Sequence, residues 1–339
     1  MYRPWSIREL EGVRPNGCTV FSVFSCGGGS SMGYKLAGYN VIGNCEIDKP
    51  IADMYKKNHH PLYSFNMDIR DFLLLKTLPP ELFHLDILDG SPPCSVFSIA
   101  GKREDGWGRE KRFREGQKKQ TLDDLFFEYI KLINKLKPKV FVAENVKGLI
   151  SGKAKGYVAE IISEINRYGY DLQIFCLNAA VMGVPQRRER VFFIGHKKEL
   201  CYKKLVLDFH EKPILFKDVR EECGKEPSKM IYSLLQKKWR TDRNLSDINK
   251  RVYGRNSRFN SQIVWDNMVA PTITANGEFI KANKDILFSD MDFINCQTFP
   301  YDYDFCGNSV QYVCGMSVPP FMMQRIATEI YQQWLINGI

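Results

Sequence analysis

Apolar positions in the first two-thirds of the chain form two alternating patterns: short runs rich in apolar residues, and longer stretches at helical spacing. The short runs predict strands at 19–24, 41–46, 84–89, 139–143 and 191–194. Between the third and fourth runs, apolar residues from Leu122 to Leu136 recur at helical spacing, which predicts a helix that ends at Lys137-Pro138. Strands that alternate with helices are typical of an α/β fold with a parallel sheet and crossover helices.

The alternation is lost after about residue 196. Residues 196–290 are basic and irregular, and rich in Asn, Ser and Arg. A helix is again predicted from Phe321 to about Leu335, because the preceding prolines suit a helix start. We therefore predict a first domain at 1–195, a smaller domain at 196–290, and a return segment at 291–339 that completes the first domain with a C-terminal helix.

The composition narrows the class of protein. The 339 residues are 44% apolar and 26% charged, which is enough to bury one large core or two modest ones. No apolar run reaches the ~20 residues that span a bilayer, and no secretory segment is visible, so a soluble cytoplasmic protein is expected. The ten cysteines are scattered without a C-x-x-C pair, and His59-His60 falls in a predicted loop, so no metal site is expected.

Charge changes this picture only where it is concentrated. The net charge of +9 suggests a polyanionic partner but is weak evidence alone. Residues 102–119 contain eight Lys and Arg and four Asp and Glu, punctuated by glycines. This segment is either a solvated connector or a mobile basic loop that closes over a phosphate backbone, and its position just after Cys94 favours the loop.

Glycines and acids follow the first predicted strands. Gly27 to Gly29 come directly after the first strand, where the absence of Cβ atoms lets a ligand approach the backbone, although the spacing is not G-x-G-x-x-G. Glu46 ends the second strand and can accept hydrogen bonds from ribose hydroxyls, and Asp68 can accept from an adenine amino group. Each acid alone is more often an ordinary surface residue. Together, in this order, they favour an adenosyl ligand.

Candidate reactive groups follow the later strands. Two prolines stiffen the turn Gly90 to Cys94, which makes Cys94 a candidate nucleophile rather than a buried structural cysteine. Glu144 closes the 139–143 strand at the same edge. Arg188 and Arg190 are expected to point to one face of an extended segment, where guanidinium groups can donate to a carbonyl oxygen while ionised. Without that context, the Gln-Arg-Arg-Glu-Arg run would be a solvated charged turn.

These motifs resemble those of the cytosine C5 DNA methyltransferases of bacterial and phage restriction-modification systems, from about Val20 to Leu335. The similar motifs are Phe24 to Gly29, Glu46-Ile47-Asp48, Asp68-Ile69, Gly90 to Cys94, Leu125-Phe126-Phe127, Glu144-Asn145-Val146, Gln186 to Arg190, Gln297 to Pro300, and Gly315 to Pro320. The specific part of the resemblance is Pro-Pro-Cys, Glu-Asn-Val and Gln-x-Arg-x-Arg in this order and spacing.

The resemblance implies a Rossmann-like fold that binds S-adenosyl-L-methionine, with a mixed, mainly parallel sheet and a target-recognition domain at 196–290. It implies methyl transfer to C5 of a flipped-out cytosine in a specific duplex sequence. Cys94 would add to C6, Glu144 would bind N3 and the exocyclic amine, Arg190 would contact O2, and Arg188 would position the base and the thiol. The implied cofactor residues are Phe24, Ser25, Cys26, Gly27, Gly29, Glu46, Ile47, Asp68, Ile69, Pro92, Leu125 and Ser317. The expected partner is double-stranded DNA, with no metal and no membrane, for a monomer that associates with the nucleoid.

Four positions depart from the family pattern. Cys26 replaces a glycine, Ser95 replaces a glutamine, the Asp-x-Arg ahead of Leu125 is missing, and Met316 replaces an asparagine, which leaves Ser317 to meet the methionine carboxylate. Two alternatives stay open: a tRNA cytosine C5-methyltransferase with the same core, and a catalytically silent DNA-binding member. An NAD-dependent oxidoreductase is disfavoured by the irregular glycine spacing.

Overall fold

The structure is a computed structural model that describes residues 3–93, 110–111, 120–121, 125–151, 155–255 and 261–336. Its strands are β1 (Thr19–Val23), β2 (Asn40–Cys45), β3 (Tyr63–Phe65), β4 (Ile87–Gly90), β5 (Glu110–Lys111), β6 (Gln120–Thr121), β7 (Val140–Val146), β8 (Tyr170–Asn178), β9 (Gln186–Arg187), β10 (Glu189–Lys197), β11 (Gln262–Val264), β12 (Ala270–Pro271), β13 (Phe279–Lys281) and β14 (Ile286–Leu287). Its helices are α1 (Gly29–Leu36), α2 (Lys49–His59), α3 (Ile69–Leu74), α4 (Leu125–Leu136), α5 (Lys155–Arg167), α6 (Lys229–Leu235), α7 (Leu245–Tyr253), α8 (Asp290–Gln297), α9 (Val310–Met316) and α10 (Pro320–Ile330).

The main sheet has seven strands in the order β3-β2-β1-β4-β7-β10-β8. Strand β1 pairs in parallel with β2 on one side and with β4 on the other, and β7 continues the parallel set beside β4. Strand β10 runs antiparallel to β7. The strand order reverses between β1 and β4, which is where open α/β sheets leave a crevice for ligands at the carboxyl ends. The predicted α/β fold with a mainly parallel sheet is confirmed.

Most predicted strands are present, with shifted ends. Strand β4 begins at Ile87 rather than at residue 84, because Pro80–Phe83 form a 3-10 turn and Asp86 accepts a hydrogen bond from the Thr19 backbone (2.8 Å). Strand β7 continues to Val146, so that Glu144 lies within the strand instead of after it. The antiparallel pairing with β10 causes this extension, since it supplies partners for the backbone beyond residue 143.

Helix α4 covers the sheet with an apolar face. Phe126 and Tyr129 are buried, and the Phe126 ring packs edge-on against Phe193 with 5.2 Å between centroids. Burying side chains of this size stabilises the fold by about 1.5–3 kcal/mol each. A Cβ at Gly90 would lie 2.6 Å from Cε2 of Tyr129, so the helix approaches β4 only because residue 90 is glycine. The predicted helix is confirmed from Leu125 onward, and Leu122 lies outside the described residues.

The chain divides into two compact units. The first comprises Met1–Glu9, Asn178–Arg188 and Phe209–Met322, and the second comprises Leu10–Leu177, Glu189–Asp208 and Met323–Ile339. The first unit holds the small sheets β11-β13-β14 and β12-β9 with helices α6 to α9. It also encloses an ion pair between Lys281 and Asp292, both fully buried. The second unit holds the seven-stranded sheet.

The C-terminal helix was predicted from Phe321 to about Leu335. Helix α10 fills most of that range, and a π-helical turn from Tyr331 to Leu335 ends it. Trp334 in that turn stacks on Tyr202, and its indole Nε1 donates to the Lys203 carbonyl (2.7 Å). No helix in the described ranges is both long enough and apolar enough to cross a membrane.

Candidate active site

The glycine-rich loop joins β1 to α1 in a left-handed turn. Phe24, Cys26 and Gly28 have φ values of 54°, 44° and 71°. The Phe24 N–H donates to the Cys45 carbonyl (3.0 Å), and the Gly28 N–H donates to the Ser25 carbonyl (2.9 Å). The loop therefore wraps the carboxyl ends of β1 and β2, with Gly27 and Gly29 buried in it.

Glu46 connects this loop to the end of β2. Its Oε2 accepts from the Cys26 backbone (2.9 Å) and its Oε1 accepts from the Asp48 backbone (3.0 Å). Burial raises the pKa of Glu46, and these two backbone hydrogen bonds act in the opposite direction. Each carboxylate oxygen keeps a second lone pair, so Glu46 can still accept from a ligand hydroxyl. Ile47 is half-buried beside it.

Asp68 and Ile69 lie at the start of α3. Asp68 is the N-cap of the helix, where its Oδ1 accepts from the Arg70 backbone (2.8 Å). Its Oδ2 also pairs with the Arg70 guanidinium at 3.1 Å. Ile69 is buried in the core. A structural role for Asp68 therefore accompanies the predicted contact with adenine, which stays a prediction.

The Pro-Pro turn lies beside the strand that carries Glu144. In the β4–β7 register Gly90 is opposite Ala143, so Ser91 follows next to Glu144. Asn145 donates its Nδ2 to the carbonyl of Pro92 at 3.0 Å, in a buried hydrogen bond. Cys94 itself lies outside the described residues, as do Ser95 and nearly all of residues 102–119. Within that segment the structure describes only the backbone of β5, which pairs antiparallel with β6.

Glu144 and Arg190 form a half-buried ion pair across β7 and β10. The register places Arg190 opposite Val146, and its Nε lies 2.9 Å from Oε1 of Glu144. Within the described residues no donor has hydrogen-bond geometry toward that buried Oε1, so the contact with Arg190 is an ion pair without a well-aligned hydrogen bond. Burial lowers the pKa of Arg190 and Glu144 opposes this shift. Both groups are thus held at the carboxyl end of β7 in a largely dehydrated position.

Arg188 is placed differently. The predicted extended segment is interrupted here, because the Arg188 N–H donates to the Gln186 carbonyl (3.1 Å) and separates β9 from β10. The buried guanidinium donates from Nη1 to the Ile273 carbonyl (3.1 Å) and from Nη2 to the Gly315 carbonyl (3.0 Å). The unbroken extended segment that the predicted shared face requires is therefore interrupted at Arg188. Arg188 holds two backbone segments of the first unit together.

A chain of buried amides continues from Gln186. Its Oε1 accepts from the Ile273 backbone (2.9 Å) and its Nε2 donates to Oε1 of Gln297 (2.6 Å). Gln297 in turn donates to the Ser317 carbonyl (2.7 Å). The Ser317 hydroxyl is buried, with no hydrogen-bond partner in the described part of the chain. An unsatisfied buried hydroxyl is unusual in a folded protein and suits a position that a ligand satisfies.

Three residues near these groups were not singled out by the sequence. Asp89 on β4 accepts from Ser22 (Oγ to Oδ2, 2.7 Å) and Tyr34 (OH to Oδ1, 3.3 Å), and burial raises its pKa to about 7. Asn145 stood in a recognised motif, but its partner Pro92 is distant in sequence. His59 was expected in a loop, but it ends α2. The one available signal was the acidic side chain of Asp89 at the end of the predicted strand 84–89.

His59 supports the glycine-rich loop from inside the second unit. A Cβ on Gly28 would lie 2.1 Å from its Nε2, which means that the ring packs directly against the loop backbone. The ring stacks on Tyr55 with 4.2 Å between centroids. Burial lowers the pKa of His59 well below its usual range, Lys35 lowers it further, and a hydrogen bond with the Gly27 backbone opposes both. The imidazole is therefore neutral.

Comparisons with known proteins point to one family. A model of the C-5 cytosine-specific DNA methylases matches residues 18–332. The Type II methyltransferase M.Bsp6I of Bacillus sp. is 28% identical over 339 residues, which cover 93% of this chain and 99% of the relative. M.FnuDI of Fusobacterium nucleatum is 38% identical over 181 residues, which cover 53% of this chain and 47% of the relative. The match thus spans about half the length of M.FnuDI, and it also spans 50% of the length of M.NgoPII of Neisseria gonorrhoeae.

Solved structures share the fold. A prophage-encoded protein described as a DNA modification methyltransferase (E. coli) superposes with a TM-score of 0.69 at 19% identity, over 94% of this chain and 99% of that one. DNMT2 of Spodoptera frugiperda gives 0.64 at 16% identity, over 93% and 100%. At these identities the likeness concerns the fold alone.

Proposed function

The chain belongs to the family of C-5 cytosine-specific DNA methylases, and on that premise we propose that it methylates C5 of a flipped-out cytosine in a specific sequence of duplex DNA. The Type II relatives place it with the enzymes of restriction-modification systems. The target-recognition role falls to residues 196–290. Residues 1–195 and 291–339 form the catalytic domain.

One contact carries the proposal. The Asn145 amide binds the Pro92 carbonyl, so the turn that leads to Cys94 is fixed beside the strand that bears Glu144. A nucleophile and a carboxyl group have to act on the same ring, with C6 and N3 of cytosine only a few ångströms apart. Two stiff prolines and a buried hydrogen bond limit the backbone freedom that would otherwise separate them.

The chemistry follows from the weak nucleophilicity of C5. The Cys94 thiolate forms a bond to C6, and the C5–C6 π electrons become available at C5 as an enamine. Glu144 hydrogen-bonds N3 and the exocyclic amine, donates a proton to N3 as the enamine forms, and takes it back when the thiolate leaves. Arg190 donates a hydrogen bond to O2. After C5 has gained the methyl group, the C5 proton leaves to a base, the electron pair of that C–H bond reforms the double bond, and the Cys94 thiolate departs from C6.

Extrusion of the cytosine from the duplex costs a few kcal/mol, which contacts in the pocket and along the backbone offset. In the free protein the Glu144–Arg190 ion pair keeps both groups together without a base. Arg188 does not contact the reacting atoms in this proposal. It positions the backbone at Ile273 and Gly315.

The described residues fit S-adenosyl-L-methionine, the methyl donor of this family. The loop around Gly27 and Gly29 lacks Cβ atoms, and the Ser317 hydroxyl is buried without a partner among described residues. When bound, the cofactor supplies an electrophilic methyl group on a sulfonium sulfur. We propose that it is held by Phe24, Ser25, Cys26, Gly27, Gly29, Glu46, Ile47, Asp68, Ile69, Pro92, Leu125 and Ser317.

The decisive experiment measures transfer of labelled methyl groups from S-adenosylmethionine to duplex DNA and to tRNA, with bisulfite sequencing of DNA from expressing cells. We expect labelled duplex DNA and protected cytosines in one sequence context. Cys94→Ser and Glu144→Gln should each abolish turnover, while Cys201→Ser, which changes an exposed cysteine, should not. Transfer to tRNA instead, or DNA binding without any transfer, would replace the proposal with one of the two alternatives.

A duplex with 5-fluorocytosine at the target position tests the covalent step separately. Fluorine cannot leave as a cation from C5, so the adduct should accumulate on Cys94 in the presence of the cofactor. Peptide mass spectrometry that places the adduct on another residue would contradict the assignment of the nucleophile.

A further inference from the structure

Helices α6 and α7, with the turn between them, concentrate positive charge in the first unit. Residues 225–255 contain nine Lys and Arg but three Asp and Glu. Two of the acids are engaged within this segment. Asp242 accepts from the Trp239 backbone (2.6 Å) and pairs with Arg251 (2.7 Å), and Asp247 accepts from the backbone before α7. The acids therefore shape the segment while most of the cations face solvent.

Aromatic side chains are exposed among these cations. The Arg251 guanidinium lies 3.8 Å from the Trp239 ring centroid, and the Lys237 ammonium lies 4.8 Å from that of Tyr253 while bonding its hydroxyl (2.8 Å). Trp239 is 60% exposed and Tyr253 is 50% exposed. These four residues and Arg240 are together called the 237–253 patch. Aromatic faces covered by cations are a poor surface for an apolar partner and a good one for a polyanion.

The patch is built on its own packed core. Ile231, Leu234, Leu235, Leu245 and Ile248 are buried beneath it. Arg251 is held in place, since it donates to the Lys237 carbonyl (2.7 Å) as well as to Asp242. These inward bonds commit Arg251 to the protein, where it is 23% exposed, and occupy donors that bidentate reading of a base would require. The exposed cations of the patch are Lys237 and Arg240. Such an arrangement contacts phosphates and does not read sequence.

We propose that the 237–253 patch docks the phosphate backbone of duplex DNA and supplies sequence-independent affinity. The proposal rests on the proposed function, in that duplex DNA is the substrate. Each phosphate contact releases about 0.9 counterions from B-DNA, so the patch has to appear in the salt dependence of binding.

The test replaces two exposed cations, Lys237→Gln with Arg240→Gln, and compares them with Lys56→Gln and Lys76→Gln, which remove the same charge from exposed lysines of the second unit. Binding of fluorescent duplexes with and without the target sequence is followed by anisotropy from 50 to 200 mM KCl. Loss of two contacts should flatten the log–log slope by roughly 1.8, so that the affinity of the wild type falls about 12-fold more than that of the variant over this range. The control pair should keep the wild-type slope, and circular dichroism should show all variants folded.

Three results would overturn the docking surface: a patch variant with the wild-type slope, a loss confined to the target duplex, or a loss of binding to vesicles with anionic phosphatidylserine while DNA binding is kept. The proposed function fails on a different readout. If the slope changes as expected but the wild type transfers no methyl group to DNA, the docking surface stands and the enzymatic proposal falls.

Discussion

Gly28, the N-cap of α1, is the position where one added methyl group would disturb the glycine-rich loop most. Its backbone is left-handed, with φ +71°. A Cβ there would lie 2.1 Å from Nε2 and 2.6 Å from Cε1 of His59. The His59 ring has little room to retreat, because it is buried and stacked on Tyr55. Gly28→Ala therefore meets two independent obstacles.

The magnitude follows from these two obstacles. A left-handed conformation costs an L-residue about 1–2 kcal/mol. Moving a packed ring by more than an ångström costs about 1–3 kcal/mol, as in other overpacked cores. Gly28→Ala should thus lower the free energy of unfolding by about 2–5 kcal/mol. His59→Ala also destabilises on its own, but it removes the steric part, so the double variant should be more stable than the sum by about 1–3 kcal/mol.

Urea unfolding of the four members of this cycle measures the coupling, and calorimetric titration of S-adenosylmethionine should show weaker binding for Gly28→Ala. Gly156→Ala is the matched control. It lies in α5 with nothing within 4 Å of the added Cβ, so it should stabilise the protein by about 0.5–1 kcal/mol. Additivity of Gly28→Ala and His59→Ala to within about 0.5 kcal/mol would refute the packing of the imidazole against the loop.

The remaining predictions concern buried charges. Burial raises the pKa of Asp89 to about 7, so the folded state binds this proton more tightly than the unfolded state and loses stability as the pH rises from about 4 to 7. In urea unfolding, the free energy of unfolding of Asp89→Asn should therefore increase relative to that of the wild type between pH 5 and pH 8. A difference that stays constant over this range would contradict the shift. Lys281→Met alone should cost about 3–5 kcal/mol in thermal unfolding, because it leaves the Asp292 carboxylate buried without its cation. Adding Asp292→Asn should recover part of this loss, since the amide removes the charge and keeps an acceptor for the Glu221 and Ser289 backbone. A double variant less stable than the single one would contradict the reasoning. Arg188→Lys should lower the melting temperature, because a lysine loses one of the two carbonyl contacts. Arg190→Lys should reduce methyl transfer while the protein stays folded. Equal melting temperatures for Arg188→Lys and the wild type would argue against the structural role of Arg188.

The sequence predicted the fold well where a local pattern determines it. Strands β1 and β2 are short and buried after their first residue, and each is followed by the residues that turn the chain, Phe24 to Gly29 and Glu46. Helix α4 was visible because its apolar residues recur with one period. These signals lie within a dozen residues, so no knowledge of the tertiary structure is needed to interpret them.

The sequence failed where a partner is remote. His59 was expected in a loop because a proline follows at 61, but its ring is fixed by Gly28, which is more than thirty residues away. Arg188 and Arg190 were expected on one face because a single residue separates them on a continuous strand. The alternation holds only along an unbroken strand, and the turn from Gln186 to Arg188 ends it. The carbonyls that Arg188 binds, at Ile273 and Gly315, have no local sequence signature.

The candidate chemical groups of the second unit therefore owe their positions to contacts between strand ends rather than to their own loops. Glu46 is bonded to the Cys26 backbone, Glu144 is paired with Arg190, and Asn145 holds the turn at Pro92. Each contact joins neighbouring segments at the carboxyl edge of one sheet, where the strand spacing is fixed by backbone hydrogen bonds. A reaction that needs a nucleophile, a carboxyl group and a guanidinium around one ring gains from such prior placement, since little of the ordering remains to be done when the substrate binds. Under the proposed function the sequence motifs name the candidate reacting groups, and the bonds between strand ends bring Glu144, Arg190 and the turn at Pro92 together.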